Sequence, residues 1–588
     1  MKKYYKYLIL CLLLSFSLII PSAHAAVGYT YSHSGEPIYS TVGLAPAAGG
    51  IYTVISDAWT SPSNETLQAS QFTSPNDLFI YTEYDPAGVG TDIIYIVDAV
   101  SNLLFVFDGN MRYQYKVANY EILPENFTDD ELIKMKTAFV DNNKNVTSIS
   151  FTDYLAKKGM TLVDFRAIAQ IPYAMRTPAQ KFYLSPNALS GVYRNVRPAK
   201  NPDGTIIRGV FQDLLYLSDK SNNQIVIVDA KTYQVVQVVS SPTDISFSGK
   251  VFLPVKLVTD VAGRIFVISE GVYEGIMQMS YEGNFSSFVG VNYVSLTFWE
   301  LFWRRFMTDE QLAQTETILN TIFTSLTIDE EGFIYATSRA VGTNAGAMIK
   351  RINPSGKDVL TRNGYSVPMG DLTYIRTGTN VALRGPSRFS AVTVNDYGVY
   401  TIADEKSGRL FSYDDEGNLL YISGGRGNEL TNLNTPIAIR YQGENILALD
   451  KEKQSVIRFE PTDIAVSINK AVRYHYIGNL VASSEEWKNV VHQNPNYEYA
   501  YVGIGKSLLN EGRYLEAMSY FQTGYSVDYY SKAYKLYRDE QVNRYFTPVM
   551  SVILVGVAAW MGYKLYRKIK FGKDEDEGGE EWWITMKP

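Results

Sequence analysis

The sequence predicts a mainly β fold, a six-bladed β-propeller, followed by an α-helical segment and one transmembrane helix. Three observations predict it: a strand–turn–strand unit that recurs six times, a change from period two to a helical period near Asp463, and a charge-free stretch from Tyr545 to Tyr563.

The recurring unit is an apolar strand that ends on an acidic or small polar residue, a polar turn, and a second apolar strand. Its copies pair residues 93–98 with 103–108, 214–219 with 225–229, 264–270 with 276–279, 332–338 with 348–352, 398–404 with 409–413, and 445–450 with 456–459. An upstream strand often precedes the unit, as at 257–260, 326–329 and 392–395, and in four copies another follows a turn at Gly109, Gly283, Gly356 or Gly417. The whole unit is therefore a four-stranded antiparallel meander. One meander cannot bury both its faces, and radial packing of the copies protects their edges. Residues 38–55 read either as a closing strand or as part of another blade.

The run Tyr216-Leu217-Ser218-Asp219-Lys220-Ser221-Asn222-Asn223-Gln224-Ile225 resembles the strand–Asp–Asn-Asn–strand signature of NHL-repeat propellers. The resemblance covers residues 72–461 and is looser outside this copy. Two insertions interrupt the repeat. Residues 124–186 contain helical stretches such as 129–140. In residues 295–322, Trp299, Phe302, Trp303 and Phe306 recur at the spacing of one helix face, and Thr308-Asp309-Glu310-Gln311 reads as the cap of a following helix.

Residues 463–543 follow the propeller, which is expected over 26–462. Here Tyr501, Ile504, Gly505, Leu508, Gly512, Tyr514, Ala517, Phe521 and Gly524 match the large and small positions of a tetratricopeptide repeat. Ala471, Tyr474, Gly478, Ser483 and Trp487 fall in the matching places one repeat earlier.

Both termini carry targeting features. Lys2, Lys3 and Lys6 precede an apolar run from Leu8 to Ile20, and Ala23-His24-Ala25 supplies small residues for cleavage, so residues 1–25 read as a signal peptide. Residues 545–563 span roughly 28 Å as a helix, one hydrocarbon thickness. Tyr545, Phe546, Trp560 and Tyr563 mark the interfaces, and Lys564, Arg567, Lys568 and Lys570 place the following side in the cytoplasm. The expected product is a single-pass cell-membrane protein with an extracellular N-terminal domain. Residues 564–588 form its acidic cytoplasmic tail, which includes Trp582 and Trp583.

Composition narrows the chemistry. The only cysteine, Cys11, lies in the signal region, so no disulfide framework is expected. A net charge of -7 argues against nucleic-acid binding, which needs a basic face. No histidine occurs between His33 and His475, which argues against a Ser-His-Asp triad or a His-ligated metal in that stretch.

Two functions fit. The first is a non-catalytic binding or scaffold protein without a cofactor, because propellers carry function on their loops. Its candidate binding patch is Trp299, Trp303, Arg304 and Arg305, where flat aromatics would stack on sugar rings or anchor a protein. Aromatics at this spacing would equally fasten the insertion to the propeller. The order of propeller, tetratricopeptide-like helices and anchor is similar to a family of Gram-positive surface proteins found with sugar-importing ABC transporters. That resemblance implies membrane or surface proteins as partners and an accessory role in carbohydrate uptake. The second function is a gluconolactonase-like hydrolase, since those enzymes are six-bladed propellers holding one divalent metal through oxygen ligands. Asp98, Asp219, Glu270, Asp404 and Asp450 are the candidate ligands, although Asp at strand-to-turn junctions is also what Asx turns produce. A signalling role has little support, as one spanning helix and a short tail supply little machinery.

Overall fold

A computed structural model describes residues 28–571, apart from 40, 54–58, 61–65, 68–71, 142–143, 202–203, 248, 294–317, 320, 340–347, 378–379, 385, 428 and 430–431. The signal region, the Trp299–Arg305 patch and the acidic tail from 572 onward lie outside the described residues. The chain divides into two compact units, residues 1–476 and 477–588.

The first unit is a six-bladed propeller. Blade 1 comprises Pro75–Tyr84, Gly90–Asp98, Leu103–Asp108 and Tyr113–Val117. Blade 2 comprises Leu189–Lys200, Ile206–Asp219, Gln224–Asp229 and Gln234–Val239, widened by Tyr120–Ile122 and Phe182–Leu184. Blade 3 runs from Pro254–Thr259 to Phe285–Val289. Blade 4 holds Phe323–Ile328, Ile334–Ser338 and Ile349–Ile352, and its fourth position is reduced to a bridge between Ile352 and Asp358. Blade 5 runs from Phe389–Val394 to Leu419–Gly424. The first strand of each sheet touches that of the next, and the last touches the first, so these inner strands close a ring.

Closure comes from the N-terminus. Leu44–Thr53 pairs antiparallel with Ser455–Pro461 and becomes the fourth strand of blade 6, which otherwise holds Pro436–Gln442, Asn445–Asp450 and Ser455–Pro461. The early segment is thus a closing strand and not part of another blade.

Period-two alternation packs the blades. Along the second strand of blade 1, Ile94 and Ile96 join Leu447 and Leu449 of blade 6, while Tyr95 and Val97 join Leu215 and Leu217 of blade 2. Both faces of a strand are buried, which explains why these strands read as nearly unbroken apolar runs.

Antiparallel strands put their connections on alternate faces of the propeller. One face carries the turns between first and second strands. The other carries the turns between second and third strands together with the crossings between blades, and therefore the first large insertion and the two ends of the second. The first insertion departs from its expected form. Helix Asp129–Lys134 begins in a capping box of Thr128 and Glu131, but it stops at Met135, whose backbone is extended. Residues 136–140, expected to continue the helix, instead form a hairpin strand with Val146–Ser150. The β-branched and aromatic run Thr137-Ala138-Phe139-Val140 favours that pairing.

After blade 6, helix Asp463–Tyr476 buries Ala465, Ile468, Ala471 and Val472. Asn469 donates to Glu444, Tyr476 donates to Glu331, and Arg473 sits 4.5 Å from the Tyr397 ring centroid. Those three partners belong to first-to-second-strand turns of blades 6, 4 and 5. The chain accordingly leaves the propeller on the face opposite its insertions.

In the second unit, Leu480–Gln493, Glu498–Asn510, Tyr514–Thr523 and Val527–Phe571 pack as successive helices. Gly505 lies so close to Phe521 that an added Cβ would come within 2.6 Å of the ring, so a bulkier residue would force the two helices apart. The last helix is continuous and contains Pro548 in its interior. Its stretch Val527–Lys570 is the one described helix long and apolar enough to cross a membrane, and its most apolar window is wholly exposed.

Candidate functional site

The insertion-bearing face is organised by buried aspartates at the ends of second strands. Asp98 accepts from the backbone N–H groups of Thr73 and Ser74, which precede the blade, and from Val100 and Ser101 in its own turn. Asp404 accepts from Arg388 and Lys406 N–H and from the Ser407 hydroxyl. Asp450 accepts from Asn434, Thr435 and Lys453 N–H. Asp219 accepts from Asn187 N–H at 2.7 Å, Asn222 Nδ2 at 2.7 Å and Gln224 Nε2 at 3.1 Å. Each aspartate therefore clamps the chain entering a blade to that blade's second turn.

Glu270 stands one residue beyond this position. The register pairs Pro254 with Ser269, just as it pairs Pro75 with Asp98, and the Ser269 hydroxyl accepts from Leu253 N–H at 2.9 Å. Glu270 instead forms a half-exposed ion pair with Lys220. The four aspartates thus each serve their own blade while Glu270 reaches to blade 2, and among the described residues no three His, Cys, Asp or Glu side chains group as metal ligands.

Burial pushes the Asp219 carboxyl up to about 7, with its amide and backbone donors offsetting only part of the rise. The other clamps share its architecture but not its run of Asn222, Asn223 and Gln224.

A second polar assembly lies on the propeller axis. All six inner strands carry a register shift just after their first residue. That shift makes Asp77, Gly191, Lys256, Ser325, Ala391 and Ala438 equivalent positions around the ring. Four of the six are small. Lys256 of blade 3 reaches across the ring: its Nζ donates to the Ile437 carbonyl of blade 6 at 2.7 Å, on the opposite side of the axis. Its Nζ also lies 3.3 Å from Asp77 Oδ1, while Asp77 Oδ2 accepts from Val192 N–H. Arg440, two residues along from Ala438, donates to the carbonyls of Val392 and Ile439. Burial lowers the pKa of both Lys256 and Arg440, and Asp77 opposes the change in each.

Asp77, Lys256 and Arg440 were not among the residues expected from sequence. The usable signal was a charged residue interrupting an apolar inner strand, as Lys256 does before Leu257 and Val258.

The fold and these two assemblies define a closed propeller with a polar axis and a loop-rich face. No protein-family model matches the chain, and no curated protein matches its sequence. Among solved structures, it is similar to a catalytically inactive virginiamycin B lyase from Staphylococcus aureus with quinupristin, at 10% identity, over 66% of this chain and 94% of that one, with a TM-score of 0.31. It is also similar to a streptogramin B lyase, at 9% identity over 70% and 97% of the two chains, TM-score 0.32. A hydrazine synthase from Kuenenia stuttgartiensis aligns at 10% identity over 66% and 96%, TM-score 0.31.

Proposed function

We propose that the protein is a non-catalytic binding or scaffold module, anchored by one helix in the cell membrane, with its propeller outside the cell. The observation that carries this reading is the division of labour between faces. The first insertion opens on one face, and helix Asp463–Tyr476 lies against the turns of the other. On this reading residues 1–25 export the chain, 463–543 act as a tetratricopeptide-like spacer, and 545–563 span the bilayer. Trp299, Trp303, Arg304 and Arg305 form the binding patch. The resemblance to surface proteins found with sugar-importing ABC transporters supports such a transporter as the partner.

The hydrolase reading has less support. It needs carboxylate oxygens free to take a metal, yet Asp98, Asp219, Asp404 and Asp450 each already accept three or more hydrogen bonds.

Co-purification of a sugar-transporter subunit with the full-length chain from solubilised native membranes tests the proposal. Changing both Trp299 and Trp303 to Ala should lower recovery at least about tenfold, the loss of one hot-spot contact, while thermal unfolding stays unchanged. Undiminished recovery removes the patch. Divalent-metal-dependent lactone hydrolysis by the purified protein would replace the binding reading with the hydrolase.

A further inference from the structure

The buried charges on the propeller axis do not balance. Asp77, Lys256 and Arg440 are 1%, 5% and 7% exposed, so two cations share one carboxylate. A nearby buried cation is treated differently. Arg194 meets Asp213 at 2.6 Å and Glu83 at 3.6 Å, and it also donates to the Tyr95 hydroxyl. A charge taken out of water without a partner is costly, which makes the surplus at the axis a feature to be explained. The clamp carboxylates cannot supply the missing charge, because their donors are local. Polar atoms are also left over: Arg440 Nε, the Ser325 hydroxyl and Asp77 Oδ1 are buried with no hydrogen-bond partner, and of these Asp77 Oδ1 alone has a cation, the Lys256 ammonium, beside it. The equivalent positions of blades 5 and 6, Ala391 and Ala438, carry no polar side chain that could offset the charge.

We propose that the axis binds one small monovalent anion, of the size and charge of chloride, between the Lys256 ammonium and the Arg440 guanidinium. The remaining ammonium hydrogen and the Arg440 Nε–H are its donors, and Ser325 supplies a further hydroxyl from the equivalent position of blade 4. The anion brings the local charge to zero and ties blades 3 and 6 across the ring. The competing way to reach neutrality is loss of the Lys256 proton, for which no anion is needed.

Thermal unfolding of the full-length chain in neutral detergent at pH 7 separates the two. Sodium chloride is exchanged for sodium gluconate at constant ionic strength, and the midpoint of the β-sheet signal is followed. The expected result is a saturable rise with chloride, matched by bromide, of about 2 °C or more at a hundredfold excess over Kd. Lys256→Met leaves one cation against Asp77 and should abolish the rise. Asp77→Asn leaves two uncompensated cations and should move half-saturation to lower chloride. A wild-type midpoint indifferent to chloride overturns the site, and so does a chloride dependence that survives in Lys256→Met. If Lys256→Met does not fold, Arg440→Met makes the same charge change and is read in the same way.

Discussion

Two sets of buried aspartates serve the same propeller in different ways. The clamps on the insertion-bearing face bind backbone N–H groups, whereas Asp77 on the axis faces a buried lysine across 3.3 Å. The clamp position needs an acceptor, not a charge, because blade 3 fills it with the Ser269 hydroxyl. The axial position needs the charge itself. A clamp therefore solves a local problem of satisfying orphaned backbone donors, while Asp77 solves a wider one, since its partners arrive from blades 2 and 3.

That contrast is broken most forcefully at the axis. Asp77→Ala leaves two buried cations facing each other and should cost about 4 kcal/mol, the usual penalty for removing one partner of a buried ion pair. Asp98→Ala strands four backbone donors, some of which can turn to water, and should cost about 3 kcal/mol. Asp98→Asn keeps one carbonyl oxygen and should cost about 1 kcal/mol. Urea unfolding of these three variants and of Asp77→Asn at equal m-value checks the order. If Asp77→Asn proves as mild as Asp98→Asn, charge does not distinguish the two sites.

Among the clamps, Asp219 carries a pH signature. In the folded protein its carboxyl holds a proton up to about pH 7, while in the unfolded chain it holds one only to about pH 4. The folded state thus binds more protons through that window, and stability falls as pH rises from about 4 to about 7. Asp219→Asn should flatten this part of the stability profile, measured by unfolding at a series of pH values. An unchanged slope would assign it to other groups.

Most of the fold was legible in the sequence because each repeat contains its own pattern. Apolar runs such as 93–97 and 214–217 carry the double-sided burial of second blade strands, and the glycine turns punctuate them. The closing strand was harder to read, since Leu44–Thr53 has no companion strands nearby in sequence and joins blade 6 across the whole propeller. Residues 136–140 misled for a related reason: their strand state depends on Val146–Ser150, which is visible only as a hairpin. The axial assembly was least legible. Asp77, Lys256 and Arg440 are far apart in the chain, and only ring closure brings them together.

The finest test of the contrast lies in blade 3, where the acidic residue at the end of the strand is not the clamp. Ser269 is 3% exposed and accepts from Leu253 N–H, whereas Glu270 pairs with Lys220 where both side chains meet solvent. A neutral hydrogen bond lost at a buried site costs about 1 kcal/mol, and an exposed ion pair rarely contributes more than about 0.5 kcal/mol. Ser269→Ala should therefore destabilise the protein by about twice as much as Glu270→Gln. Added salt should erase the smaller effect and leave the larger one, since only the exposed pair is screened. The reverse order would mean that Glu270 is the clamp of blade 3 after all, and that charge matters at this position as it does on the axis.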